Sequence, residues 1–493
     1  MTTWEGPLLL VGGAGTGKTT AVARSAVAEL RAGRRPLVLA PDRAAASLLR
    51  NRIAGDAGGV TQLTVTTVHA LARSLLDQYG DNSEWRLLTA PEQEFRVREL
   101  LAGDPGDRWP EVLRRALPTA GFARQVRAVV ARARQLGLDP EDVAALGTEA
   151  ELPAWQAVGE FFAEYLDVLD AERALDYAEL VHRARLLLGS SEVLAALRDR
   201  FDAVLVDDVT DLDPAQLGLL RELVPDGGRI LATADPQAAV NTFRGAHPRI
   251  AAEFPAIFAR ADGTPARVDV LDQGHRFGGE IAVAVARLEQ RLPVAVSAIA
   301  RSPRPAERAG VVRVLHCASE AAAARAIAAE LRRARVERNV DYREMAVVTR
   351  TGLGLAEIAR ACAQVGVPVR LAGDEIALAQ AQAVRPLLLA LEVAARGGLE
   401  PGEAIRLLSS PLGGFDPAAL RQLVRQWRQA HSDARDALGQ VPTQEEVLAA
   451  AVNQPGWLQV TDPTPVQRRL ARLVESLTAA RAAVEAGERP DAI

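Results

Sequence analysis

Along the first 80 residues, apolar runs too short for a helix alternate with longer stretches whose apolar positions recur every three or four residues. "PLLLVGG" (Pro7 to Gly13) reads as a buried strand, "TTAVARSAVAELRAG" (Thr19 to Gly33) as an amphipathic helix stopped at Gly33, and "RPLVLAPD" (Arg35 to Asp42) as a strand closed by Pro41. A helix follows at "AAASLLRNRIAG" (Ala44 to Gly55), and "LTVTTVHALARSLL" (Leu63 to Leu76) passes from strand into helix. This alternation predicts a parallel α/β sheet. From about Leu87 to Gly189 the pattern is helical throughout, and strands return at "FDAVLVDD" (Phe201 to Asp208) and "GRILATAD" (Gly228 to Asp235). A helical block between two α/β stretches predicts a domain inserted into the α/β one.

The second half repeats the scheme. "ARSPRPAERAG" (Ala300 to Gly310) reads as a linker, because its prolines forbid helix continuation. Beyond it "VVRVLHC" (Val311 to Cys317), "EMAVVTRT" (Glu344 to Thr351) and "VPVRLAG" (Val367 to Gly373) read as strands, with helix "SEAAAARAIAAELRRARVE" (Ser319 to Glu337) among them; from about Ile376 the pattern is helical to the end. At 493 residues the chain is too long for one core. The expected partition is a first α/β domain from 1–85 and 196–300, a helical insertion over 86–195, the start of a second α/β domain over 305–378, and a second helical insertion over 379–493. The last block does not return to its host, which predicts a truncated chain.

Composition narrows the classes. With 48% hydrophobic and 25% charged residues the chain is globular rather than disordered. A net charge of −5 provides no global basic field, so contact with nucleic acid has to rest on local arginines. Arg114, Arg115, Arg124, Arg127, Arg132 and Arg134 in the helical block, and Arg332, Arg333 and Arg335 beyond the linker, are such clusters; solvated helix faces are the alternative. Two cysteines, Cys317 and Cys362, make neither a disulfide framework nor a Cys-rich zinc site, which fits a reducing compartment. Apolar runs such as Pro386 to Ala395 are too short to span a bilayer, so a cytoplasmic protein with no membrane partner is expected.

Lysine and arginine together number 58, and Lys18 is the only lysine, leaving 57 arginines. It closes Gly12-Gly13-Ala14-Gly15-Thr16-Gly17-Lys18-Thr19, which fits G-x-x-x-x-G-K-[ST] between a strand and a helix. There the glycines let backbone N–H groups cradle phosphate oxygens, with the helix N-terminus adding positive charge, from Gly12 through Thr20. Lys18 is expected to reach the β and γ phosphates and the Thr19 hydroxyl to ligate Mg²⁺, making ATP and Mg²⁺ the expected cofactors. A compact ammonium on a slender stem fits such a loop, whereas a broad guanidinium does not.

A site of this kind needs a carboxylate at a neighbouring strand end. "AVLVDD" supplies Asp207 for magnesium and Asp208 for polarising the attacking water, with helix capping as the alternative for Asp208. "ILATADPQ" ends a strand at Asp235, and Gln237 either orients water or is a solvated turn residue.

In order and spacing, "TVTTVHALARSLL", "VLVDDVTDLDPAQ", "ADPQAAVNTFRGA" and "LDQGHRF", following the phosphate loop, resemble the successive motifs of the superfamily 1A (UvrD-like) DNA helicases. "LLTAPEQEFRVRELL", "LDYAELV", "DEIALAQAQAVRPLLLALEVA" and "LLSSPLGGFDPAALRQLVRQWRQA" resemble more narrowly the AdnA-type subunits of AdnAB helicase–nucleases. The resemblance implies RecA-like α/β domains with inserted helical domains, and a 3′-to-5′ translocase working on single-stranded or duplex DNA in double-strand break resection. It also implies a heterodimer with a second helicase–nuclease subunit. Catalysis falls to Lys18, Asp207, Asp208 and Arg276, the last contacting the γ-phosphate, with a surface ion pair as its alternative. Phe243 and Arg244 are implied to meet DNA, Phe243 by stacking on a base, with core packing as the alternative. Thr67 and His69 fall in a motif touching the DNA backbone, a buried histidine being the alternative.

Against the family pattern, Asp208 stands where a glutamate is usual, Thr210 precedes Asp211, Ala238 takes the motif glutamine's slot, and Asn241 stands where an aromatic is common. Only eleven residues precede Gly12, too few for the upstream glutamine motif that reads adenine. These departures carry the rival expectation of a non-motor, DNA-binding scaffold subunit with a weakened ATP site.

Overall fold

A computed structural model describes residues 4–59, 63–80, 85–238, 240–292, 304–371, 384–431 and 441–487. In it β1 (Leu8–Gly12) leads into α1 (Lys18–Arg31), β2 (Pro36–Leu39) into α2 (Arg43–Ala57), and β3 (Thr64–Thr66) into α3 (Val68–Tyr79). The helical block comprises β4 (Arg86–Leu87), α4 (Ala90–Gly103), α5 (Glu111–Arg114), α6 (Ala120–Gln135), α7 (Pro140–Glu149), α8 (Pro153–Ala171), β5 (Ala174–Leu175), α9 (Tyr177–Leu188) and α10 (Ser191–Arg200). Alternation resumes with β6 (Ala203–Val206), α11 (Pro214–Leu223), β7 (Ile230–Ala234), α12 (Ile250–Ile257), β8 (Arg267–Leu271) and α13 (Gly279–Glu289).

Six strands form one parallel sheet in the order β3-β2-β6-β7-β1-β8, the layout of a RecA-like α/β domain. In β1, β2, β6 and β7 every residue is buried, as a sheet covered on both faces requires. Alternation sorts the side chains: Leu8, Leu10, Val38 and Leu205 join the core under α1 and α2, while Leu9, Val11, Leu37 and Val206 join the core with α3, α11 and α12. Because all six strands run the same way, the residues that follow β1, β6, β7 and β8 emerge along one edge, where α/β sheets place their ligands.

The helical block has its own core around Trp109, Phe161, Phe162 and Tyr165. Yet α9 and α10 send Leu180, Val181, Ala184, Leu188 and Leu197 into the core of the sheet. The sheet's core therefore reaches back into α9, inside the 86–195 stretch expected as the insertion, since a helix on a sheet and a helix in a bundle share one 3.6-residue pattern. β4 and β5 add a short parallel pair, Arg86 with Ala174 and Leu87 with Leu175.

Residues from Val314 onward form a second compact unit. α14 (Glu320–Arg338) and α15 (Leu355–Gln364) share a small core around Ala324, Ala328 and Cys362. A larger one unites α16 (Arg385–Arg396), α17 (Pro401–Leu408), α18 (Pro417–Ala430), α19 (Gln444–Asn453) and α20 (Pro465–Glu485) around Leu407, Leu423, Leu448 and Leu470. The strands expected at 311–317, 344–351 and 367–373 are not formed among the described residues. A parallel strand holds only between hydrogen-bonding neighbours, and here the apolar side chains stay exposed, Val314 at 74% and Val348 at 91%. Residues 300–303 of the expected linker, and 372–383 of the following strand and helix, lie outside the described residues. Among the described residues no helix is long and apolar enough to cross a membrane.

Candidate functional site

The loop between β1 and α1 is shaped by its glycines. Gly15 and Gly17 sit at φ +79° and +90°, in the left-handed region that costs other residues conformational energy. Gly12 has no room for a side chain, since a Cβ there would lie 2.4 Å from Thr16 Oγ1. Thr16 Oγ1 donates to Gly13 O at 2.9 Å, tying the loop across its base. α1 begins at Lys18, so its first N–H groups, which have no intrahelical partner, belong to the loop. Lys18 Nζ donates to Gly12 O at 2.8 Å, Gly13 O at 3.1 Å and Asp235 Oδ2 at 3.0 Å.

Above this loop opens a cavity of about 410 Å³. Ala14, Gly15 and Gly17 form its floor; Lys18, Thr19 and Thr20 stand at the helix start; Asp208, Asp211 and Asp235 bring acid from the strand ends. Arg276 closes another side: the backbone N–H of His275 donates to Gly15 O at 2.9 Å, so "GHRF" rests directly on the loop. Arg276, although exposed, takes a place in the cavity wall.

The two acids after β6 are held by one hydroxyl. Thr233 Oγ1, on neighbouring β7, donates to Asp207 Oδ1 at 3.0 Å and accepts from the Asp208 N–H at 2.9 Å. Burial pushes the Asp207 carboxyl up from its ordinary range, with the Thr19 and Thr233 hydroxyls and the Lys18 charge opposing it. Asp208 adopts a left-handed conformation, φ 56° and ψ 63°. Burial, followed by the charge of Asp207, pushes its carboxyl to about 6. Asp208 makes no side-chain cap, and the acid that caps α11 is Asp213.

This donor set fits a nucleoside triphosphate. Lys18 and Arg276 supply cations, the glycine cradle supplies close backbone approach, and the volume suits a ligand of that size. Thr19 and Asp207 fit Mg²⁺, which takes one or two protein oxygens and fills its remaining positions with phosphate and water. Correspondingly, among the described residues no group of three or more His, Cys, Asp or Glu could hold a metal alone. One further wall residue escapes a reading of the sequence. Arg52 of α2 donates to Thr20 Oγ1 at 3.1 Å, and nothing separates it from neighbouring surface arginines in the pattern. Ala238 lines the cavity, whereas Gln237 is half-buried with its N–H on Asp235 Oδ1 at 3.3 Å.

The residues expected on DNA fall into two settings. Thr67 caps α3, accepting from the Ala70 N–H at 3.2 Å. His69 packs edge-on against Tyr177, ring centroids 5.2 Å apart, with its Nε2 3.3 Å from Gln216 Nε2, and burial lowers its pKa. Phe243, by contrast, is 79% exposed on the turn Thr242–Arg244, with the Arg244 guanidinium 5.3 Å above its ring. Core packing is therefore excluded for Phe243. Of the arginine run, Arg134 is no solvated residue: it is buried against Glu179 at 2.7 Å and paired with Asp139.

The sequence profile of the UvrD/REP helicase N-terminal domain matches residues 1–259, more than half of the chain. The chain is 27% identical over 443 residues to ATP-dependent DNA helicase UvrD1 of Mycobacterium tuberculosis, covering 84% of this chain and 53% of that protein. It is 25% identical over 494 residues to ATP-dependent DNA helicase UvrD2 of the same organism, covering 92% and 65%. With DNA helicase II of Escherichia coli it shares 28% identity over 211 residues, 41% of this chain and 27% of that one. The chain thus spans about half the length of the UvrD1 relatives it matches.

Proposed function

This chain belongs to the UvrD/REP helicase N-terminal domain family, and we propose that it is the ATP-hydrolysing, DNA-engaging part of a 3′-to-5′ DNA helicase or translocase subunit in DNA repair. More narrowly, we propose an AdnA-like subunit acting in break resection beside a second helicase–nuclease subunit in the cytoplasm. The observation that carries the reading is the convergence of Lys18, Asp208 and Arg276 on one cavity at the carboxyl edge of a parallel sheet. In this reading Lys18 leaves Asp235 to meet the β and γ phosphates, while backbone N–H groups of Gly13 to Thr20 hold phosphate oxygens. Thr19 and Asp207 would hold Mg²⁺, which when bound would offset the negative charge of the phosphates. Asp208 orients the attacking water and accepts its proton, and Arg276 stabilises charge spreading over the transferred group. Phe243 stacks on a base of single-stranded DNA, with Arg244 beside it and Thr67 and His69 toward the backbone.

Lys18→Ala tests the reading: it should abolish measurable ATP binding and DNA-stimulated phosphate release while leaving single-stranded DNA binding in place. Undiminished hydrolysis would reject it. One observation favours a second reading, a DNA-binding scaffold with weak turnover: the cavity wall carries Ala238 where a polar side chain would touch γ-phosphate. Unwinding by the assembled complex, unchanged by Lys18→Ala, would establish the scaffold role.

A further inference from the structure

The turn bearing Phe243 is gripped from the helical block. Gln135 Nε2 donates to Arg244 O at 2.8 Å, and Arg132 Nη1 donates to Gly245 O at 2.8 Å, so the last turn of α6 binds two consecutive carbonyls of the loop. Gly245 sits at φ +96°, where other residues are strained, and a Cβ there would lie 1.9 Å from Gln135 Oε1, so a larger residue would displace the Gln135 amide from the loop. The turn is also closed on itself, with Arg244 N–H and Ala246 N–H both on Asn241 O at 2.8 and 3.2 Å. It is tethered on the sheet side as well, by His247 N–H to Leu212 O at 2.8 Å. Between these anchors Phe243 and Arg244 project outward.

We infer that Arg132 and Gln135 are positioning residues for single-stranded DNA: they lock the Thr242–Gly245 turn from the helical block so that the Phe243 ring is presented, already ordered, to a stacking base. The inference rests on the reading of Phe243 as a base contact. An exposed aromatic on a three-residue turn, without such a brace, samples several orientations and loses entropy on stacking; a braced one is ordered in advance. Three features point to bracing rather than to a chance contact. The two donors lie three residues apart on one face of α6, they meet adjacent carbonyls, and Gly245 holds a left-handed φ of +96° at the point of contact, where a side chain would displace Gln135.

The experiment uses single-stranded DNA carrying 2-aminopurine, whose fluorescence is quenched by stacking on an aromatic ring, titrated with the full chain. Phe243→Ala should weaken DNA binding about fivefold or more and relieve the quench, the lower end of what one stacked base contributes. Arg132→Ala/Gln135→Ala should do the same, with the melting temperature and ATP affinity retained, and Arg132→Lys, which keeps one donor, should recover part of both signals. If Phe243→Ala changes DNA binding and the double variant does not, the brace is refuted and the DNA reading stands. If Phe243→Ala leaves affinity and quench unchanged, the DNA reading of the turn fails and the brace falls with it.

Discussion

Lys18 Nζ and Asp235 Oδ2 stand 3.0 Å apart, their side chains only 11% and 7% exposed. The chain's sole lysine is therefore neutralised by a carboxylate from the end of β7. Removing one partner of such a pair leaves the other charge buried and uncompensated, which typically costs about 3–5 kcal/mol. Asp235→Asn should lower the melting temperature of the free protein, and ATP should then raise it by more than it raises wild type, because phosphate supplies the missing counter-charge. Scanning fluorimetry with and without ATP reads both shifts; equal nucleotide-induced shifts would contradict this account of the pair.

Two glycines with the same backbone separate strain from function. Gly15 and Gly33 sit at φ +79° and +76°. A Cβ at Gly15 would lie 2.7 Å from Arg276 Cβ, whereas nothing lies within 4 Å of one at Gly33. Gly15→Ala and Gly33→Ala should each cost about 1–2 kcal/mol for the left-handed conformation. Only Gly15→Ala should also reduce ATP affinity, because it pushes "GHRF" off the loop. Equilibrium unfolding paired with nucleotide titration distinguishes the two.

Thr233 is fully buried and its hydroxyl joins Asp207 to the backbone of Asp208. Thr233→Val keeps the volume and removes both bonds, leaving a buried N–H and a buried carboxylate short of a partner. The expected cost is on the order of 1–3 kcal/mol. Turnover should fall further than ATP affinity, since Asp207 and Asp208 lose their placement while the phosphate cradle is untouched. Steady-state kinetics beside binding titrations checks the split.

Asp213 offers a pH signature away from the metal-binding acids. It is buried at the N-terminus of α11, where it accepts from Gln216 N–H, and burial pushes its carboxyl from 3.8 to about 6. Below about pH 4 folded and unfolded chains both hold the proton. Between about 4 and about 6 only the folded chain holds it, so stability falls as pH rises, and above about 6 the loss is complete. Asp213→Asn retains a capping oxygen and removes this slope. The difference between the two proteins should change by roughly 3 kcal/mol from about pH 4 to about pH 7 in urea unfolding and stay flat above it.

What the sequence discloses depends on distance along the chain. The phosphate loop and the strand ending in Asp207 are local patterns of under ten residues, and their strand–loop–helix setting is legible from hydrophobic period alone. Strand β8 is less legible: its pattern of exposed and half-buried positions is that of a sheet edge, and its place beside β1 comes from pairing Leu8 with Arg267, at opposite ends of the domain's sequence. Thr233, Arg52, Gln135 and Arg132 act through contacts with remote segments, which no window of sequence contains. The segments 311–317 and 344–351 fail for the converse reason. Their β-branched composition favours extended backbone, but a strand is a relation between neighbours, and composition supplies only one side of it.

The left-handed backbone at Asp208 bears on which acid can serve there. Aspartate belongs to the few side chains that tolerate this conformation, whereas glutamate, one methylene longer, gains no such local accommodation. Lengthening the side chain to bring a carboxylate nearer to water would therefore be opposed by the chain's own path, and the choice of acid at 208 is a compromise between reach and the shape of the turn that carries it.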